Sequence, residues 1–319
     1  SYAQERMWFA SELNPTSAAY NIPLAIRIMG NVDLEKLSHA FNSVIKKHEI
    51  LRAQFMNENG GPVQRIFPFQ SVNMKIVSMV DKSVADQEII VKKLVNKTAS
   101  NPINLQSEQL FNITVFKLSE EEHILLIVMH HIIFDGWSTG LLMKEISEVY
   151  RNGKITVDDL VIQYADYSAW QKEKMENGGY QRQVEYWKNK IGSNPPELKL
   201  PLDYSRPKNQ MFEGDIYRFE LPVNLVDAVK QMSREKRVSP FVILLSSYYI
   251  FLYKYTGQKE LILGVPVSNR QHVEIEPLIG CIANTIPLKV FIESQKTVTE
   301  LIQQVNKATL EAQDHQELP

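Results

Sequence analysis

A proline-rich, polar stretch at residues 193–207 (SNPPELKLPLDYSRP) divides this chain, because such a run holds neither a helix interior nor a central strand. Patterned segments lie on both sides of it. Before it, residues 21–29 (NIPLAIRIM) alternate partly and predict a strand. Asp33 predicts a cap for a helix over 34–48, with Leu34, Leu37, Phe41, Val44 and Ile45 on one face. Residues 51–56 and 63–67 flank Asn59-Gly60-Gly61 and predict a hairpin. A helix over 84–98 follows. Strands over 110–118 and 123–129 come next, joined by an acidic turn at 119–122. Helices are expected over 139–150, 164–176 and 180–191, the last two parted by Gly178-Gly179. Beyond the connector the pattern predicts a strand at 216–221, helices at 223–236 and 240–255, strands at 261–265 and 286–292, and a helix at 298–313. The expected class is mixed α/β, most simply two α/β sandwiches in tandem.

The 319 residues suit about two domains and a sizeable core. A 44% hydrophobic and 23% charged composition argues against a disordered, collagenous or coiled-coil chain. With 35 basic and 37 acidic residues there is no general attraction to nucleic acid or anionic lipid, and neither is expected as a partner. The single cysteine, Cys281, excludes an intrachain disulfide and a multi-thiolate zinc cluster, and fits a reducing cytoplasm. No signal peptide is expected, and apolar runs such as 124–129 and 241–245 fall short of the ~20 residues a membrane helix needs. The chain opens at Ser1 and stops at Pro319 just after a helical pattern, so it is expected to be a piece of something longer.

The most informative stretch is His130-His131-Ile132-Ile133-Phe134-Asp135-Gly136-Trp137-Ser138, between a buried-looking strand and a helix. A strand end of this kind aims side chains from a rigid base. Adjacent histidines leaving a strand point to opposite sides, so one faces a given substrate and the other packs inward. Asp135 either accepts a hydrogen bond or pairs with a cation to brace the turn. Gly136 lets the backbone bend and brings an N–H close to a bound group. Both histidines could equally be satisfied structural residues. A metal site would want ligands supplied from elsewhere, and no His-x-x-x-His or cysteine pair accompanies this one, so no metal is expected. A serine hydrolase would want a Gly-x-Ser-x-Gly elbow, which is absent. What remains is a histidine acting on a substrate that brings its own nucleophile.

Residues 130–138 resemble the HHxxxDG core of nonribosomal peptide synthetase condensation domains, within the chloramphenicol-acetyltransferase-like superfamily. Further stretches resemble the rest of that family's ordered set: 1–8 (SYAQERMW), 47–55 (KHEILRAQF, with Lys47 and Ala53 where Arg and Thr are usual), 164–170 (YADYSAW), 279–285 (IGCIANT) and 315–319 (HQELP). The resemblance implies two acetyltransferase-like lobes forming a V with a central tunnel, residues 1–176 carrying the histidine motif and 177–319 forming a linker helix and an incomplete second lobe. His131 would lie in the tunnel and Gly136 would offer an N–H near the reacting centre. His131 would either take the proton of the attacking amine or orient it. Asp135 would pair with Arg270 of the second lobe, found in 264–270 (GVPVSNR), to hold the loop. His130 would be structural, as would Arg6, His48, Arg52, Asp166 and Trp170. Trp137 and Ser138 would be substrate contacts, and Asn284 would either contribute a hydrogen bond to substrate or close its turn.

The activity implied is amide formation. The amine of an acceptor aminoacyl thioester attacks a donor acyl or peptidyl thioester, both tethered to 4'-phosphopantetheine arms of peptidyl carrier proteins, beside an adenylation domain. No cofactor is implied on the domain itself. Gly136-Trp137-Ser138 is closest to the domains that join two L-residues. The alternatives are a non-catalytic relative that docks carrier proteins or tailoring enzymes, and an ester-forming relative with a hydroxyl acceptor.

Overall fold

A computed structural model describes residues 1–58, 60–155, 160–207, 214 and 216–319. The chain divides into two compact units, one of Ser1–Asn177 with Arg270–Ala283 and one of Gly178–Asn269 with Asn284–Pro319. The segment 270–283, expected in the second lobe, thus packs with the first. It carries Leu278, Ile279 and Ile282, all buried in the core of that unit.

In chain order the first unit holds α1 (Tyr2–Leu13), β1 (Asn21–Met29), α2 (Leu34–Lys47), β2 (Ala53–Glu58), β3 (Gly61–Ile66), β4 (Lys75–Ser78), α3 (Val84–Ala99), β5 (Phe111–Lys117), β6 (Glu122–His130), α4 (Gly136–Asn152) and α5 (Tyr164–Glu176). Its main sheet runs β1-β6-β5-β4. β6 pairs antiparallel with β1 and β5, and β4 lies parallel to β5. The apolar run of β6 has a simple cause, since all but its first residue are buried. Leu125, Ile127 and Met129 face Phe41 and Val44 of α2 and Leu142, Ile146 and Val149 of α4. Ile124, Leu126 and Val128 face the opposite way, toward Val91 of α3. Helices thus cover both faces of the sheet, and period-two alternation divides one strand between two cores.

The capping signals hold. Asp33 accepts the Lys36 N–H at 3.0 Å, and the α2 stripe of Leu37, Phe41, Val44 and Ile45 is buried. β2 and β3 form the expected hairpin, whose Asn59 lies outside the described residues. Two elements were not anticipated, α1 and β4.

The second unit comprises α6 (Gln181–Ile191), α7 (Val223–Lys236), α8 (Pro240–Thr256), β7 (Glu260–Val267), β8 (Asn284–Phe291) and α9 (Val298–Gln313). β7 and β8 pair antiparallel. Val242, Tyr249 and Leu252 of α8, Leu288 and Val290 of β8, and Ile302 and Val305 of α9 make its core. Residues 216–221, expected as a strand, join no sheet among the described residues, and Tyr217 and Phe219 are exposed. Alternation alone does not hold a strand without a ladder to complete its backbone hydrogen bonds. No helix among the described residues is long and apolar enough to cross a membrane.

Candidate active site

β6 delivers the two histidines from the middle of a covered sheet, which fixes where they start. The His130 N–H donates to the Leu110 carbonyl at 2.9 Å and the His131 N–H to the Tyr20 carbonyl at 2.8 Å. A 3-10 turn, His131–Ile133, then leads to α4. His130 points inward and is buried. Its Nδ1 accepts the Ile132 N–H at 3.1 Å, which leaves its proton on Nε2. Burial, with the neighbouring His131 adding to it, lowers the His130 pKa to about 4, so it is neutral in ordinary buffers.

His131 is half-buried. Its Nδ1 lies 2.7 Å from the Phe134 carbonyl oxygen. A carbonyl only accepts, so Nδ1 carries a hydrogen, and it is Nε2 that bears the lone pair in the unprotonated form of the ring. Nε2 has no protein partner among the described residues. Gln4 of α1 donates from Nε2 to the Ile132 carbonyl at 3.1 Å, bracing the same turn from below.

Asp135 caps α4 and is fully buried. Its carboxylate accepts the Ser138 N–H at 2.9 Å, the Ser138 hydroxyl at 2.7 Å, Arg270 Nη1 at 2.8 Å, and the Ile282 and Ala283 N–H groups at 3.1 Å. Burial by itself would raise its pKa. The Arg270 guanidinium and the Ser138 hydrogen bonds outweigh burial and hold the carboxyl below its ordinary value. Arg270 also donates to the Leu278 carbonyl at 2.9 Å, and its guanidinium sits 5.7 Å from the centroid of the Trp137 ring. The expected Asp135–Arg270 pair therefore forms, but inside the first unit and not as a link to a second lobe, because Arg270 opens the segment that packs with the first.

The remaining expected site residues separate into two groups. Gly136 and Trp137 stay accessible. Gly136 opens α4, so its N–H and that of Trp137 lie ahead of any intrahelical acceptor. Its φ is outside the left-handed region, and a Cβ built there would meet nothing within 4 Å. The expectation that glycine is needed for a bend is corrected: what it keeps is open space in front of a helix start. The Trp137 indole donates to the Glu276 carbonyl at 3.0 Å and its ring is partly exposed.

Ser138 and Asn284, expected at substrate, are engaged elsewhere. Ser138 is fully buried and bonded to Asp135. Asn284 belongs to the second unit, where its amide donates to the Gln316 and Leu318 carbonyls at 2.9 and 2.6 Å and its oxygen accepts the Thr285 N–H at 2.9 Å.

The bracing residues are occupied as well. His48 Nε2 is 2.8 Å from Glu145, which also takes Lys47 Nζ at 2.7 Å. Asp166 accepts the Gln163 N–H at 2.8 Å in a capping box. Arg52 donates to the Ile45 and Lys46 carbonyls at 3.3 and 3.4 Å. Trp170 meets His272 edge-on at 5.4 Å. Sequence reasoning missed the roles of Gln4 and Tyr164, although both stand in quoted motif segments. The Tyr164 hydroxyl donates to the Cys281 carbonyl at 2.6 Å. Among the described residues no group of three or more His, Cys, Asp or Glu side chains is arranged to hold a metal ion.

Comparison with known proteins gives the same picture. The family model described as "Condensation domain" matches residues 1–319. Tyrocidine synthase 3 of Brevibacillus parabrevis is 33% identical over 319 residues, covering 100% of this chain and 5% of that protein. Surfactin synthase subunit 1 of Bacillus subtilis (strain 168) is 34% identical over 319 residues, covering 100% of this chain and 9% of that protein. The chain therefore spans only a small part of the length of the curated relatives it matches. Among solved structures, the first condensation domain of the calcium-dependent antibiotic synthetase superposes with a TM-score of 0.85 at 20% identity, over 98% of this chain and 74% of that one, a likeness of fold. The chain belongs to the condensation-domain family.

Proposed function

We propose that this chain joins an acceptor aminoacyl thioester to a donor acyl or peptidyl thioester, with His131 Nε2 receiving the proton of the attacking amine. Both substrates arrive on phosphopantetheine arms of carrier proteins. The observation that carries this reading is the fixed tautomer of His131: a half-buried imidazole whose Nδ1–H is held by the Phe134 carbonyl and whose Nε2 is left available.

A thioester needs no protein nucleophile. The amine nitrogen forms the C–N bond as its proton passes to Nε2. The carbonyl oxygen gains charge, and the N–H groups of Gly136 and Trp137 stand at the positive end of α4 to receive it. Collapse breaks the C–S bond, and the donor thiolate takes the proton back from the imidazolium. Asp135 has no part in proton transfer, because every side of its carboxylate is already bonded to protein.

The test supplies the protein with donor and acceptor carriers loaded with known aminoacyl groups and follows the mass of the acceptor-bound product. A dipeptidyl acceptor is expected with an amine acceptor. Product with a hydroxyl acceptor alone, or carrier binding with no product on any donor, overturns the reading.

Gly136→Ala gives an independent check. The added Cβ meets no protein atom, and alanine is the better helix former by about 1 kcal/mol, so the fold is expected to be as stable or slightly more so. The methyl group fills the space before the N–H groups, and amide formation is expected to fall by about 10²-fold, the order found when one oxyanion donor is lost. Thermal unfolding and single-turnover product formation measure the two effects separately. An unchanged rate would remove the α4 start from the mechanism.

A further inference from the structure

Ser138 has a place in the structure that a substrate contact does not explain. Its hydroxyl donates to Asp135 Oδ1 at 2.7 Å and accepts the Gly280 N–H at 3.0 Å, with all three residues in the first unit. Asp135 is the neighbour of Phe134, whose carbonyl fixes the His131 ring. The path therefore runs from Gly280 through the Ser138 hydroxyl to Asp135, to the Phe134 carbonyl, and to the tautomer of His131.

The far end of this path is held firmly. Gly280 has φ +152°, and a Cβ there would fall 2.1 Å from the Tyr164 ring. Tyr164 is itself buried and bonded to the Cys281 carbonyl. The backbone at 280–281 is thus pressed against α5, and only a residue without a side chain lets it approach so closely.

We propose that Ser138 is a positioning residue for His131, its hydroxyl joining the direct Asp135 bonds to the Ile282 and Ala283 N–H groups in aligning the Asp135–Phe134 backbone against the anchored 280–281 segment. This deepens the amide-forming reading and rests on it. Serine suits the position because one small hydroxyl both donates and accepts in a pocket closed to solvent. A merely structural serine would contribute stability and leave the chemistry of the folded protein untouched.

The test compares two deletions of buried hydroxyls. Ser138→Ala is set beside Ser246→Ala on α8, where Ser246 is buried and donates to the Val242 carbonyl at 2.7 Å, far in sequence from the histidine turn. Both variants are expected to lose thermal stability by similar amounts. Only Ser138→Ala is expected to lose kcat, by about 10- to 100-fold, as for a misplacement of about 1 Å, with KM for the carrier-bound substrates unchanged. The same variant is expected to shift the His131 ring resonances in NMR spectra, whereas Ser246→Ala leaves them in place.

Wild-type kcat together with unshifted His131 resonances in Ser138→Ala overturns the proposal. A fall in kcat of equal size in Ser246→Ala overturns it as well. If the wild-type protein makes no amide, the functional reading fails, and the resonance comparison still decides whether Ser138 sets the His131 ring.

Discussion

Replacing His131 with alanine is expected to lower amide formation by about 10²–10⁴-fold, the usual contribution of a positioned acid–base group. No neighbour can take over. His130 is neutral, but it is buried and its Nδ1 already accepts the Ile132 N–H. The Asp135 carboxylate is ion-paired to Arg270 and closed in by backbone donors. The fold is expected to survive, because His131 is only half-buried and its side chain makes one hydrogen bond, worth about 1 kcal/mol. The KM values for both carrier-bound substrates should stay near wild type, since the ring acts on the proton and not on the arms. Mass analysis of the acceptor-bound product measures the effect. Undiminished product would take His131 out of the mechanism.

The largest effect on stability is expected from Asp135→Ala. Asp135 and Arg270 both have fully buried side chains, so removing one leaves the other as an uncompensated interior charge, at a cost of about 3–5 kcal/mol. Arg270→Ala should cost a similar amount for the mirror reason. Asp135→Asn/Arg270→Gln leaves no isolated charge and should be milder than either single truncation. Urea midpoints of the four proteins give the comparison. A double variant as unstable as the sum of the singles would show that the pair does not act as a unit.

Of the two buried groups at the histidine turn, His130 should respond to acid before Asp135. The folded His130 pKa is about 4 against an ordinary 6.5, so below 6.5 the unfolded chain takes up a proton that the folded chain refuses. That contribution is intact above pH 6.5 and declines between 6.5 and about 4. The Asp135 contribution is intact above its ordinary 3.8 and is lost only as pH falls through its lower folded value. His123, whose pKa burial also lowers from 6.5, adds to the same limb, so a fall in stability below pH 6.5 that is reduced in His130→Phe checks the His130 share.

Local signals were legible in the sequence wherever one short segment carries its own reason. Asp33 before the Leu37-Phe41-Val44 stripe announced α2, and the apolar run to Met129 announced β6. α1 was hidden because little of it is apolar and buried: it buries Ala3, Gln4 and Trp8, and Gln4 is there to reach the Ile132 carbonyl. Strand β4 is four residues long and exists through its parallel pairing with β5, a long-range fact without local pattern. Residues 216–221 show the converse, a strand-like alternation that meets no sheet among the described residues.

The histidine turn was readable as a motif, and the pairing of Asp135 with Arg270 followed from a resemblance. The division of labour among its neighbours was not. Asn284 is taken up by the Gln316 and Leu318 carbonyls, 32 and 34 positions away, and Ser138, bonded to Asp135 three positions before it, also receives the distant Gly280 N–H.

The return of residues 270–283 to the first unit sets a timetable for synthesis. Asp135 and Arg270 are 135 positions apart, so at ~5–20 residues per second a ribosome needs roughly 7 to 27 s to deliver the guanidinium after the carboxylate. Throughout that interval the nascent loop carries an acid destined for the interior with its counter-ion still unmade. The loop can reach its working shape only after residue 270 has been translated, so a stalled chain ending before that point would have its histidines and yet lack the lock that sets them.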